Sequence, residues 1–474
     1  MALTRSFDTV LSAVGATICI SILAWAVSNS ETAMLDSTGI VLYYLIPGGL
    51  AVGFCASLAL SQTIRILYIL LVSAVAGGLY MTELYLVQYK PIENSVTIAA
   101  KLAGRPVDPR SRLEVVEQMR QLEPQTFPLM TQLGFMWSAR KAEISGGNWP
   151  LTIKGRQVGA IGTVALANIV QCNESGSYVM YKSDRFGFNN PDYVWDMKQI
   201  DSIMVGDSFG LGNCVPLQQQ IANQLRGKGV GTINLSGAPA GPLSYLAALQ
   251  EYAVMMQPET VIWLYYENDL VDLAEEKKFN AYMERTITNQ PVGLIQHQTA
   301  IDKSIRELVE KEILEFRMTE TTEKPRKKNK SSIMDFLLLR TIRNELQLYF
   351  RKPGHDFQLF KRTLSQANML IKSWGGRLLF VSLPNSARYL QAPFWFRNDT
   401  WVRNRVLNIV KSLGVDSLDI DPVFARHPNP HELMYFPGSH YSGKGYEIVA
   451  ESILKAVSPN STNLKSNRER KHDQ

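Results

Sequence analysis

The chain has 474 residues, of which 46% are hydrophobic and 19% charged, so there is ample apolar surface for a core and a disordered chain is excluded. Four cysteines without a CxxC pair exclude a disulfide scaffold and a zinc ribbon. Lys and Arg outnumber Asp and Glu by only 49 to 43, and the excess is scattered, so no nucleic-acid partner is expected. The apolar residues crowd the N-terminus: residues 9–30, 37–64 and 66–82 carry no charge. A helix of about 20 apolar residues crosses the hydrocarbon core. Residues 1–88 therefore read as a membrane domain with three transmembrane helices, at about 9–29, 39–61 and 65–86, with Glu83 near an interface. Pro47-Gly48-Gly49 should kink or interrupt the second helix. Arg5 and Arg65 flank the spans, whereas Glu31 and Asp36 occupy the first loop. The arginines then face the cytoplasm, and everything after about residue 88 lies outside. Alternatively Ala24-Trp25-Ala26 marks a cleaved signal peptide, and the two remaining spans still leave the large domain outside.

Residues 89–155 read as a connector, helical over 110–122 and then broken by Pro124 and Pro128. Residues 156–459 follow another pattern. The runs 202–208, 229–237, 260–269, 377–384 and 415–424 are continuous and apolar, and helical stretches such as 215–226 and 241–256 alternate with them. That alternation predicts an α/β domain in three layers, a five-stranded parallel sheet covered on both faces. A helical insertion over about 270–376 separates the third and fourth runs. It contains the basic patch KPRKKNK at 324–330, read as a solvated loop or, alternatively, as a contact for anionic lipid or an acidic polymer. Residues 336–350 are amphipathic, and the polar tail 460–474 is expected to be disordered.

Ligands of an open parallel sheet bind at the carboxyl ends of its strands. There the chain carries Gly206-Asp207-Ser208 after the first run, Ser236-Gly237 after the second and Glu267-Asn268-Asp269 after the third. Ser439-His440 follows the fifth. Each has a bland reading alone: Ser208 as a helix cap, Gly237 as a turn glycine, Asn268 as an Asx-turn residue, His440 as packing at a helix start. Their order along one rim resembles the SGNH (GDSL-type) hydrolase family over about residues 200–455. YKSDRFGFNNPD at 181–192 is similar to bacterial membrane-anchored members. The resemblance implies a flavodoxin-like SGNH hydrolase domain in which Ser208 is the nucleophile and His440 its base. The N–H groups of Ser208 and Gly237 and the Asn268 amide would form an oxyanion hole.

One family feature is missing. The aspartate usually found two or three residues before the histidine is replaced by Gly438 and Pro437. A backbone carbonyl in a Ser–His dyad, a carboxylate from elsewhere (Asp421 first, then Asp419 and Glu432), or an impaired site that only binds are the readings left open. Cys19 and Cys55 lie in the spans, whereas Cys172 and Cys214 fall in the outside domain. There they form a disulfide beside the rim or stay as two buried thiols. His427 and His431 are separated by Pro428 and Pro430, which forbid a helix, so neither a metal nor a cofactor is expected.

The resemblance implies a membrane-anchored, extracytoplasmic serine esterase or O-acyltransferase of the bacterial cytoplasmic membrane, its large domain facing the periplasm or exterior. Its expected partners are the bilayer, an acylated glycan or small ester as substrate, and envelope polysaccharide machinery. The alternative is a catalytically impaired glycan-binding or assembly protein. A transporter is disfavoured, since the spans offer no charged centre.

Overall fold

The computed structural model describes residues 7–28, 40–89, 97, 100–101, 103–130, 132–321, 336–337, 339–345, 355–385, 388–389 and 400–457. The basic patch and the polar tail lie outside the described residues. The chain divides into two compact units: 1–93 with 322–354 and 393–401, and 94–321 with 355–392 and 402–474.

In the first unit, three helices are long and apolar enough to cross a membrane: Phe7–Ser28, Val41–Leu58 and Gln62–Gln88. Pro47 has no N–H to give its preceding turn, and the second helix opens with a π-helical stretch, Val41–Leu45, before Ile46–Leu58. Small residues let the helices approach closely. A Cβ on Gly15 would sit 2.7 Å from the Phe54 ring. Asp8 and Arg65 pair at 3.3 Å. Glu83 is fully buried, at 0% exposure. Its two carboxylate oxygens accept the N–H groups of Thr341 and Ile342, both at 2.8 Å, at the start of the helix Arg340–Glu345. Tyr80 donates its hydroxyl to the Leu337 carbonyl at 3.0 Å. The charge in the third helix is thus answered by backbone from the insertion.

The second unit begins with the helix Arg112–Arg120, started by a capping box of Ser111 and Glu114. Strands β1 (Thr126–Pro128), β4 (Asn168–Val170) and β5 (Met180–Lys182) form a small sheet, and β2 (Thr152–Ile153) pairs with β3 (Arg156–Gln157). The large sheet comprises β6 (Ser202–Val205), β7 (Thr232–Asn234), β8 (Thr260–Tyr265), β9 (Arg377–Ser382) and β10 (Asp416–Asp419). Its order is β10-β9-β8-β6-β7 and every pair is parallel. Counted in chain order this is 2-1-3-4-5, the flavodoxin-like arrangement, with the switch point between β6 and β8. The five apolar runs are these five strands.

Because strand side chains alternate, the sheet feeds two cores. Ile203, Val205, Trp263 and Phe380 pack on one face with Leu246, Phe360, Leu364 and Val406. Met204, Ile262, Leu264 and Val381 pack on the other with Ile221, Leu225, Tyr446 and Val449. Burying each such side chain stabilises the fold by about 1.5–3 kcal/mol. Val116, Phe127 and Phe135, from the stretch read as a connector, join the first of these cores.

Candidate active site

β6 ends at Val205, and the chain turns through Gly206 and Asp207 into the short helix Ser208–Leu211. Gly206 sits tightly, since a Cβ would lie 3.0 Å from that of Leu264 on β8 and would require the neighbour to give. Asp207 caps the helix by accepting the Phe209 N–H at 2.9 Å. Ser208 stands at its start. His440, 232 residues away, faces it with Nε2 2.8 Å from the Ser208 Oγ. On the far side of the imidazole, Nδ1 lies 3.0 and 2.9 Å from the two carboxylate oxygens of Glu174. The His440 backbone N–H donates to the same carboxylate at 2.7 Å. Phe209 packs on the imidazole at 4.8 Å between ring centroids, and Tyr266 stacks on Phe209 at 4.0 Å. The ring is therefore fixed by a carboxylate on one edge, a hydroxyl on the other and an aromatic face.

Glu174 sits in the loop between β4 and β5, 8% exposed. Two residues earlier, Cys172 forms a disulfide with Cys214. The cystine sulfur of Cys214 lies 3.7 Å from His440 Nδ1. Glu174, Cys214 and His440 present three ligand-type atoms within 4.8 Å of one another. The sulfur is engaged in the disulfide and Nδ1 faces the carboxylate, so these donors are poorly suited to a metal. The motif at 181–192 braces the same rim. Asp184 accepts the N–H groups of Phe186 and Phe188, both at 2.9 Å, and the Asn190 amide at 2.9 Å. Asn190 in turn bonds the backbone N–H and carbonyl of Asn234 at the end of β7. Asn189 donates to the Leu211 carbonyl at the end of the Ser208–Leu211 helix. Gly187 is required here: its φ is +82°, and a Cβ would collide with the Thr163 carbonyl oxygen.

Several expectations are corrected. The carboxylate that meets His440 is Glu174, not Asp421. The Asp421 carboxylate takes the Arg388 guanidinium at 3.1 Å and the Tyr389 hydroxyl, so its charge is answered away from His440. Asp419 pairs with Arg403, and Glu432 accepts from the Asn429 amide at 2.8 Å. The expected oxyanion hole is likewise not assembled. The Gly237 N–H donates to the Gly206 carbonyl at 3.1 Å, extending the β6–β7 ladder. The Asn268 amide donates to Asp272 at 3.0 Å. Of the three donors, the Ser208 N–H lies in the first turn of its helix, where N–H groups have no intrahelical partner. Sequence reasoning also passed over Asn213. It is 8% exposed, its Nδ2 lies 3.5 Å from His440 Nε2, and its Oδ1 is buried with no partner among the described residues.

Burial and charge set the protonation. Burial alone would raise the Glu174 carboxyl, but the adjoining His440 outweighs it and holds the group below the usual carboxylate range. Burial alone would lower His440, but the Glu174 charge and hydrogen bond, with the Asp207 charge, raise it above its ordinary value. Burial, with the charges of Asp207, Glu276 and Glu275, pushes the Asp272 carboxyl to about 8, against the Asn268 hydrogen bond.

Among solved structures, the chain is similar to a lipase/acylhydrolase from Enterococcus faecalis, at 12% identity over 54% of this chain and 95% of that one, with a TM-score of 0.31. It is similar to a putative acylhydrolase from Bacteroides fragilis, at 12% identity over 56% and 92%, TM-score 0.31. An acetyl xylan esterase matches at 10% identity over 54% and 99%, TM-score 0.31. Likeness this slight establishes neither family nor activity. No protein-family model and no curated protein match the chain.

Proposed function

We propose that the protein is a membrane-anchored serine esterase or O-acyltransferase of the SGNH type, acting outside the cytoplasm on acyl esters. Envelope glycans are the substrate class. The observation that carries this reading is the hydrogen-bonded series Ser208 Oγ, His440 Nε2, His440 Nδ1 and the Glu174 carboxylate. It lies at the carboxyl ends of the strands beside the switch point. A serine hydroxyl attacks an ester carbonyl only when a base removes its proton. His440 takes that proton at Nε2, and Glu174 holds Nδ1–H and offsets the imidazolium charge that forms. Ser208 Oγ bonds to the acyl carbon, and the bond from that carbon to the ester's alkoxy oxygen then breaks as His440 returns the proton to this leaving oxygen, which leaves as the alcohol. Water or a sugar hydroxyl, deprotonated by the same imidazole, next attacks the acyl-serine and releases the acid or a new ester. The Ser208 N–H offers one donor to the oxyanion, and the Asn268 amide becomes a second by exchanging Asp272 for it. The disulfide, which suits an oxidising compartment, supports an extracytoplasmic domain.

A second reading, a glycan-binding protein without turnover, is favoured by the engagement of the Gly237 and Asn268 donors within the fold. Turnover of an activated acetyl ester by the intact chain in detergent separates the two. Activity that disappears in Ser208→Ala supports the esterase. An inert wild type, correctly folded, would leave the binding protein.

A further inference from the structure

We infer that the Cys172–Cys214 disulfide is a positioning element for the catalytic acid, holding Glu174 against His440 rather than only stabilising the fold. The inference rests on the serine reading above and concerns how its proton relay is kept in register.

The acid arrives from outside the main scaffold. Ser208 and His440 flank the five-stranded sheet, whereas Glu174 lies in the loop that closes β4 onto β5, strands of a different sheet. That loop is bound to itself by Gln171 N–H to the Val179 carbonyl at 2.9 Å and Val179 N–H to the Cys172 carbonyl at 2.8 Å. Its other side is held by the Asn173 amide on the Asp108 carbonyl and the Tyr178 hydroxyl on the Arg110 carbonyl, both at 2.9 Å. None of these contacts reaches the serine. Among the described residues, the ties from this loop to the site are three. One is the Glu174–His440 contact itself. Another is the Cys214 N–H on the Gln171 Oε1 at 3.2 Å, and the last is the disulfide.

The other end of the bridge belongs to the nucleophile. The Asn213 N–H donates to the Ser208 carbonyl at 3.0 Å, so the residue before Cys214 is bonded to the serine's own backbone. Cys214 has a φ of +68°, in the left-handed region that a non-glycine residue rarely adopts. Its carbonyl accepts the Tyr435 hydroxyl at 2.9 Å, and its sulfur touches His440. One covalent link therefore joins the segment carrying the nucleophile to the segment carrying the acid and rests against the base between them. A glutamate two residues from that link has little room to drift. Without it, this loop would be held to the site only by the Gln171 contact and by the Glu174–His440 contact itself, and a displacement of about 1 Å in such a relay can lower the rate about 10²-fold.

The test uses the intact chain with Cys19→Ala and Cys55→Ala, so that the free cysteines are gone and only the bridged pair remains. The bridge is opened in two ways. Dithiothreitol supplies two electrons and two protons to the disulfide and is itself oxidised to its cyclic form, and separately Cys172→Ala is combined with Cys214→Ala. Each is measured with Glu174 and with Glu174→Gln, following kcat on an activated ester across pH and folding by circular dichroism. Opening the bridge should lower kcat about 10- to 100-fold. It should also move the acid limb of the profile to lower pH, because His440 loses the charge that raises it. Both effects should vanish in the Glu174→Gln background, where there is no acid left to position. An unchanged kcat, an equal loss with Glu174→Gln, or unfolding on reduction would overturn the inference. Turnover that survives Ser208→Ala would instead remove the serine reading. The His440 titration by NMR, with the bridge closed and open, then decides the inference separately.

Discussion

His440 can accept the Ser208 proton only while neutral, and the Glu174 carboxylate makes it harder to keep neutral at low pH but better able to hold the proton in transit. Glu174→Gln keeps the size of the side chain and removes its charge. The rate should fall by about 10²–10⁴, and the acid limb of kcat should move to lower pH as His440 relaxes downward. A rate within about threefold of wild type would contradict the role of Glu174 as the acid. Ser208 and His440 were legible in the sequence because a serine at a strand end and a histidine opening a helix lie in a recognisable order. Glu174 was not, because it precedes the serine and sits in a short loop with no pattern of its own. Its only signal is its place two residues after Cys172, which the sequence offers as a disulfide partner of Cys214, six residues after Ser208. Gly237 and Asn268 were legible as positions at the rim, but hydrogen-bond allegiance to Gly206 and Asp272 is decided by packing that no local pattern records.

At the scale of elements, the five strands of the large sheet were readable because each is a continuous apolar run between turn residues, the mark of a strand buried on both faces. The small sheet was not. β1, β4 and β5 have three residues each, too short for alternation to show. Glu83, expected near a membrane interface, binds the two N–H groups that open the helix Arg340–Glu345, a partner that no sequence pattern announces. About 27 Å of helical rise separates Arg65 from Glu83 at about 1.5 Å per residue, close to the thickness of a bilayer core. Glu83→Ala strands both N–H groups, each costing about 1–3 kcal/mol when buried. Hydrogen exchange at Thr341 and Ile342 should accelerate at least tenfold, with partial recovery in Glu83→Gln. Equal exchange in wild type and Glu83→Ala would show that the helix is held by something else.

For the whole molecule, the chain passes between its two units at residues 93/94, 321/322, 354/355, 392/393 and 401/402. If Arg5 and Arg65 face the cytoplasm, an alkaline phosphatase fused after residue 100 should be active, and a fluorescent reporter that matures only in the cytoplasm should stay dark there. The reverse result would invert the topology. Stability should also depend on pH in a set direction. Asp272 is raised to about 8, above the roughly 3.9 of an unfolded aspartate. Its contribution is therefore fully present below the unfolded value and lost as pH rises through the folded one. His440 is also raised and acts in the same sense. The Tm should therefore fall between about pH 4 and about pH 8 and level off above that, and Asp272→Asn should flatten the fall. An identical slope in the variant would rule Asp272 out as its source. The central claim is that Ser208 is activated by His440 and Glu174, and fluorophosphonate labelling of the folded, intact chain followed by peptide mass spectrometry tests it most directly. The account predicts phosphonylation at Ser208, absent in Ser208→Ala, strongly slowed in His440→Ala and slowed in Glu174→Gln. No labelling of folded wild type beside a reacting control hydrolase, or labelling at a different serine, would contradict it.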